Sequence, residues 1–310
     1  MAFTAKDVKA LREETGVGMM ECKKALVEAD GDMEKAIDYL REKGLAAATK
    51  KAGRTAADGV VLAYTDEAKK VGVLLEVNSE TDFVGKNEKF QGFVLDIAKT
   101  IVEKNPGDVE DLLGVNLEGT DRTVQENLQD LILSIGENMK IRRFERVEGT
   151  TCTYIHAGGA VGVMVEFDVA DEIAAKDEFK EMGKNVAMQI AAMMPQYLNQ
   201  ASVPAEIVDH EKEINLTQMK NDPKMASKPE KVLQGIIQGK IGKFYKEVCL
   251  LEQEFVRSDL FKGSVEGYVK DVAKKLGGDI KVTGFTRYAK GEGIEKKEED
   301  FAAEIASMVK

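Results

Sequence analysis

The side chains able to carry chemistry in this chain are few and scattered. Among 310 residues there are two histidines, His156 and His210, and three cysteines, Cys22, Cys152 and Cys249. A zinc site needs several ligands converging at short spacing, and neither histidine has a second His or Cys near enough in sequence to offer one. No Cys-x-x-Cys pair occurs, and an odd number of isolated thiols argues against a disulfide framework. No Ser-His-Asp or Cys-His arrangement announces itself. The stretch GIIQGKIGK at 235–243 reads as helix and lacks the spacing of a phosphate-binding loop. HAGGAVG at 156–162 joins two strands, not a strand to a helix, so it is no dinucleotide fingerprint. The residues therefore point to a protein that is not an enzyme, holds no metal and uses no cofactor. A reaction centre built from His156 and nearby carboxylates is the competing class.

One stretch is unusual in another way. NSETDFVGKNEKF, residues 78–90, follows the apolar run VGVLLEV, so a strand ends there and a helix begins. Phe83 stands beside Asp82 at that junction, where small or polar residues are favoured. Two readings follow. Thr81 or Asp82 caps the helix and Phe83 packs near its first turn as a hydrophobic staple. Alternatively, Phe83 is meant for another protein's core. The pattern alone leaves both open.

The elements that must position this tip can be read from the rest of the chain. Composition is that of a soluble globular protein, 43% hydrophobic and 32% charged with no Trp. The length suits two or three domains. No apolar run is long enough to span a membrane, and MAFTAKDVKALREE is too charged for a signal peptide. With unpaired thiols, a cytoplasmic chain is the simplest reading. A net charge of −11 argues against bulk nucleic-acid binding. The local basic run Lys50, Lys51 and Arg54 is the main exception, and a solvated helix end is its plainer explanation.

Residues 4–44 read as three short helices. Val8 and Leu11 mark the first, and Thr15-Gly-Val-Gly breaks it. Met19, Cys22, Ala25, Leu26 and Ala29 give the period of the second. Asp30-Gly31-Asp32 forms a turn and N-cap, Ala36, Ile37 and Leu40 face inward from the third, and Gly44 ends it. The Ala-rich, basic stretch after it reads as a linker. An internal repeat follows. Shifted by 90 residues, DGVVLAYTDEAKKVGVLLEVNSETDFVGKNE lies over EGTTCTYIHAGGAVGVMVEFDVADEIAAKDE without a gap. Gly59 meets Gly149, Tyr64 meets Tyr154, Gly72 meets Gly162 and Glu76 meets Glu166. Each copy reads as strand, turn, strand, helix. Phe83 aligns with Ile173.

Residues 205–246 read as a two-helix hairpin with a narrow apolar stripe: Ile207, Glu211, Ile214 and Gln218 on one helix, Val232, Ile236 and Ile237 on the other. The chain then returns with CLLEQEFV as a strand or extended piece, VEGYVKDVAKKL as a helix and DIKVTGFTRYAKG as a strand. EKKEEDFAAEIASMV reads as an amphipathic helix with Phe301, Ile305, Met308 and Val309 on one face.

Several motifs carry a family resemblance. They are LREETGVGMMECKKALVEADGDMEKAIDYLREKG at 11–44, KKAGRTAADG at 50–59, LLEVNSETDFVGKNEKF at 74–90, IGENMKIRRFERVEG at 135–149 and VTGFTRYAKGEGIEKKEEDFAAEIASM at 282–308. Together they resemble the bacterial elongation factor Ts family. The resemblance implies an α+β architecture. A ubiquitin-associated-like three-helix domain covers 1–54 and a first core subdomain 55–142. A second core subdomain takes in 143–204 and 247–290, with a coiled-coil hairpin inserted over 205–246. A C-terminal helical module covers 291–310. It implies guanine-nucleotide exchange on elongation factor Tu, the GTPase that delivers aminoacyl-tRNA, in its GDP-bound and nucleotide-free forms. The tip Thr81, Asp82, Phe83 and Val84 would enter that partner and dislodge its magnesium. Val17, Gly18, Met19, Met20, Lys51, Arg54, His156, Phe301, Ile305 and Met308 are secondary contact candidates. Ala160 stands where family members often carry a basic residue. No nucleic-acid or membrane partner is implied, and a homodimer is compatible with the pattern. An adaptor that binds peptides through its helical module, without exchange activity, is the remaining alternative.

Overall fold

The computed structural model describes residues 3–222 and 228–295. The C-terminal helix expected to carry Phe301, Ile305 and Met308 lies outside the described residues.

Three helices open the chain: α1 (Ala5–Thr15), α2 (Met19–Glu28) and α3 (Met33–Lys51). Asp7 accepts the Thr4 N–H at 2.6 Å at the start of α1, and Gly16, in the left-handed region at φ 67°, ends it. Asp32 caps α3 by accepting the Lys35 N–H. Leu11, Cys22, Ala25, Leu26, Ala36 and Leu40 form a small buried core. Two expectations fail here. Met19 is 51% exposed rather than inward. Gly44 does not end α3, which continues through the alanines to Lys51. Alanine is the strongest helix former, and Gly44 lies against α7 (Val124–Ile135), where even a Cβ would make ordinary contact with Gln129 and Asp130 at 3.5 Å.

Two three-stranded antiparallel sheets form the centre. β1 (Asp58–Asp66), β2 (Val71–Ser79) and β3 (Met139–Glu148) make one; β4 (Thr150–His156), β5 (Val161–Val169) and β6 (Ile280–Ala289) make the other. β2 and β5 are 90 residues apart along their whole length, and both have a register shift against the third strand, at Glu76/Val77 and at Glu166/Phe167. The short helices α4 (Asp82–Gly85) and α8 (Asp171–Ala174) follow, then the long α5 (Glu88–Lys104) and α9 (Asp177–Met193). The long helices end on Asn105 and Met194, both left-handed at φ 48° and 47°. The apolar face of the first sheet packs on α5, α6 (Val109–Gly114) and α7. That of the second packs on α9 and α12 (Val265–Leu276).

The opposite faces of the two sheets meet each other around Val61, Leu74, Met164 and Tyr288. The matching glycines of the repeat permit this approach: a Cβ on Gly72 would lie 2.5 Å from Thr151 Oγ1, and one on Gly162 the same distance from Val61 Cγ1. Sequence periodicity left α6, α7 and β3 unread. Only pairing with β2 reveals β3, whose charged residues mask its alternation.

The hairpin is α10 (Ala205–Asn221) and α11 (Glu230–Val248). Its buried stripe is rotated from the one expected: Val208, Asn215 and Met219 face Leu233 and Ile241, whereas Ile207, Ile214 and Val232 are exposed. Both phases contain apolar residues, and the partner helix selects one. CLLEQEFV is not a sheet strand. It is a 3₁₀ turn at Leu250–Glu252 flanked by isolated bridges from Cys249 and Glu254. Among the described residues no helix is long and apolar enough to cross a membrane.

Candidate functional site

The tip between β2 and α5 is a rigid turn with one side chain standing out. Val84 is buried in the first core, and Gly85 lies so close to β1 that a Cβ would be 2.8 Å from Gly59 O. Phe83, one residue earlier, is 76% exposed. Consecutive helical residues point about 100° apart, so the turn that directs Val84 into the core leaves Phe83 facing solvent. Asp82 pairs with Lys86 at 2.9 Å on the exposed side, and the Lys86 ammonium sits 6.0 Å from the Phe83 ring centre. Exposed pairs of this type contribute little to stability.

The base of the tip is held from across the fold. Thr81 takes the N-cap position with extended backbone. Its hydroxyl does not cap the helix; it donates to Glu137 Oε1 at 2.6 Å, while the Thr81 N–H donates to Glu137 Oε2 at 2.9 Å. Ser79 Oγ donates to the Thr81 carbonyl at 2.9 Å. Glu80 accepts the Asn138 N–H at 2.5 Å and faces the Arg54 guanidinium at 3.5 Å. The Asn138 amide donates in turn to the Arg54 carbonyl. Periodicity gave no signal for Glu137 or Asn138, which lie more than fifty positions away and arrive only through the β2–β3 pairing.

The N-terminal helices come close to this region. The Gly16 carbonyl accepts from Lys89 at 3.1 Å, at the start of α5, and from Ser134 Oγ at 2.8 Å. Arg54 thus joins the base of the tip, and the Thr15-Gly16 turn lies beside the helix that the tip leads into. Met19 and Met20 are exposed, at 51% and 65%, and Gly18 has open space around its Cα. Lys51 is half-buried. Val17 is buried in the helical core. Val17 and Val84 are both buried in the free chain, each with a core of its own within reach. His156 is exposed on the β4–β5 turn, with Nδ1 2.9 Å from the Tyr154 hydroxyl. Among the described residues it is bonded to neither the tip nor any carboxylate.

Among the described residues no group of three or more His, Cys, Asp or Glu side chains is placed to hold a metal ion. The most elaborate charge cluster is structural. Glu76, fully buried between the sheets, accepts from Arg142, Arg143, Asn78 and the Gly291 N–H. Burial pushes its carboxyl upward, but the Gly291 N–H, Asn78 and the two arginines outweigh it and hold the group below the usual carboxylate range. Its repeat counterpart Glu166 has no such partners, and burial, with Glu145 nearby, raises it.

Known proteins supply the family. A family model described as Elongation factor TS matches residues 80–292, which takes in the tip base from Glu80, the second sheet and the hairpin. A curated protein called Elongation factor Ts from Clostridium perfringens (strain SM101 / Type A) is 49% identical over 309 residues, covering 99% of each chain. Proteins of the same name from Trichlorobacter lovleyi and Magnetococcus marinus are each 47% identical over 98% or more of both chains. With a family model spanning more than half of its length and relatives matched from end to end, this chain belongs to the elongation factor Ts family.

Proposed function

We propose that the chain is a guanine-nucleotide exchange factor for elongation factor Tu, acting in the cytoplasm during translation elongation, and that Phe83 is its working residue. The observation that carries this reading is the 76% exposure of an aromatic ring on a turn whose neighbours, Thr81 and Val84, are fixed. An exposed ring on a rigid base gains nothing in water, but gains burial energy when it enters a partner.

The mechanism follows from linkage. A protein that binds the nucleotide-free GTPase more tightly than the nucleotide-bound form weakens nucleotide binding by the same factor. The partner's magnesium is the sensitive point, because Mg²⁺ demands near-ideal octahedral geometry and tolerates little backbone displacement. Burying Phe83 in the partner yields about 1.5–3 kcal/mol. At about 1.4 kcal/mol per decade this supports roughly a ten- to hundred-fold loosening of nucleotide from that residue alone. Asp82 adds a polar contact at the rim of the insertion, and Val84 serves as the fixed inner end of the tip. Gly18, Met19, Met20, Lys51 and Arg54 extend the docking surface from the N-terminal helices, with His156 as a separate contact on the second sheet. Nucleotide is released and not hydrolysed, so the chain acts without a reaction centre of its own.

The test is release of labelled GDP from purified elongation factor Tu. Addition of this protein accelerates release many-fold, and Phe83→Ala lowers that acceleration at least ten-fold. An unchanged release rate on adding the protein would sink the reading.

A further inference from the structure

The N-terminal helices meet the core along one seam and again at a point away from it. The seam is α3 against α7: Leu133 of α7 packs on the helical core, and Ala48 of α3 packs on the core of the first sheet. A small domain held along a single line can still roll about that line. The second point is the turn between α1 and α2. A cleft of about 630 Å³ lies between this turn and the core, lined by Gly16, Val17, Phe93, Leu117, Arg122 and Ser134 among others, so side-chain packing leaves this side open.

Hydrogen bonds bridge the cleft instead. The Gly16 carbonyl accepts from Lys89 Nζ at 3.1 Å and from Ser134 Oγ at 2.8 Å. Glycine suits the position for two reasons: its φ is 67°, in the left-handed region, and a Cβ would stand 2.9 Å from Lys89 Nζ. The turn is braced from within, because Thr15 Oγ1 donates to the Leu11 carbonyl at 2.7 Å. Both donors belong to the segments that carry the tip. Lys89 lies in the first turn of α5, directly after the tip. Ser134 lies in the last turn of α7, and the chain beyond it turns at Gly136 into Glu137, whose carboxylate holds Thr81. On the other side of the bridge, exposed Met19 and Met20 open α2 just after Gly16.

We propose that Lys89 and Ser134 are positioning residues: through the Gly16 carbonyl they stop the helical domain from rolling about the α3–α7 seam, and so hold Met19 and Met20 at a fixed offset from Phe83. Two surfaces at a fixed offset enter a partner in one encounter. Two surfaces that move independently must be ordered on binding, and that cost weakens the complex. The assignment rests on the proposed function for its effect on exchange, but not for its effect on the free protein.

The test makes two measurements on the full chain. Spin labels on Glu28→Cys and Glu88→Cys, both exposed positions, report the distance between the helical domain and the start of α5; the native thiols are buried or half-buried. The parent gives one narrow distribution. Ser134→Ala combined with Lys89→Met broadens it and changes the urea midpoint little, because the α3–α7 seam is intact. Lys89→Arg, which keeps a donor, stays narrow, and Ser134→Ala alone is a milder variant that moves both readouts the same way. In GDP release from elongation factor Tu, the combined variant raises KM for the GTPase about three- to ten-fold, the worth of one or two hydrogen bonds. It leaves kcat within about two-fold, because Phe83 still inserts once the complex has formed. Replacing Met19 and Met20 by Ala raises KM in the parent and adds less in the combined variant. An equally narrow distribution in the combined variant would overturn the proposal, as would a broadened one with KM unchanged while the Met19 and Met20 replacements raise it. If those replacements leave KM of the parent unchanged, the proposed docking surface fails, and the distance distribution still decides whether Lys89 and Ser134 hold the domain.

Discussion

Phe83 and Ile173 align in sequence at the 90-residue shift of the repeat, yet the ring is 76% exposed and the isoleucine 7%, because the short helix of the second copy starts one residue earlier. The strands match at a shift of 90, but the short helices Asp82–Gly85 and Asp171–Ala174 match at 89, so Ile173 takes the inward place of Val84 and the exposed Glu172 the outward place of Phe83. One scaffold thus yields a projecting tip and a closed one.

Truncating the two residues separates these roles. Phe83→Ala changes folding stability by no more than about 0.5 kcal/mol, as for other surface positions. Ile173→Ala costs about 2–5 kcal/mol, the range for a buried aliphatic side chain. Urea melts of both variants check this, and equal losses would contradict the difference in burial.

Glu76 governs acid stability. Its carboxyl is held below the ordinary range in the folded chain, so the stability it contributes is present above the unfolded carboxylate value. That contribution is lost as pH falls through the lower folded value. Glu76→Ala at neutral pH leaves Arg142 and Arg143 without their buried partner and costs about 3–5 kcal/mol. In acid the gap between variant and parent narrows, because the parent then loses the same charge. Thermal melts from pH 7 downward follow this gap, and a gap that stays constant would contradict the assignment.

The thiols Cys152 and Cys249 are pushed up to about 11 by burial, which disfavours the thiolate. Iodoacetamide at pH 8 therefore modifies both slowly in the folded protein and quickly in urea. The sign for stability follows from the raised values. Below the unfolded thiol value near 9, keeping these groups neutral stabilises the fold in full. The benefit is lost as pH rises toward 11. Rapid alkylation of native Cys249, which is fully buried, would contradict this.

Local pattern was enough for much of this protein. The helices near the N-terminus, the repeat and its 90-residue shift, the hairpin and the strand over 280–289 are written in short-range periodicity, turn residues and caps. The motif around Thr81–Val84 pointed to the tip, and the family resemblance to its use. Tertiary structure decided the rest, because it depends on residues far apart in the chain. Strand β3 is charged and becomes legible only when paired with β2. Helix α3 runs past Gly44 through the alanines to Lys51, packed along α7, and the hairpin's buried phase is set by the opposing helix. The burial of Val17 and Val84 is visible only with the cores beside them. Above all, a phenylalanine after a strand can be a staple or a projection, and its own neighbours allow either. The turn of the short helix directs Val84 to the core and Phe83 to solvent, and Glu137, 56 positions beyond Thr81, reaches the base of that turn only through the β2–β3 register.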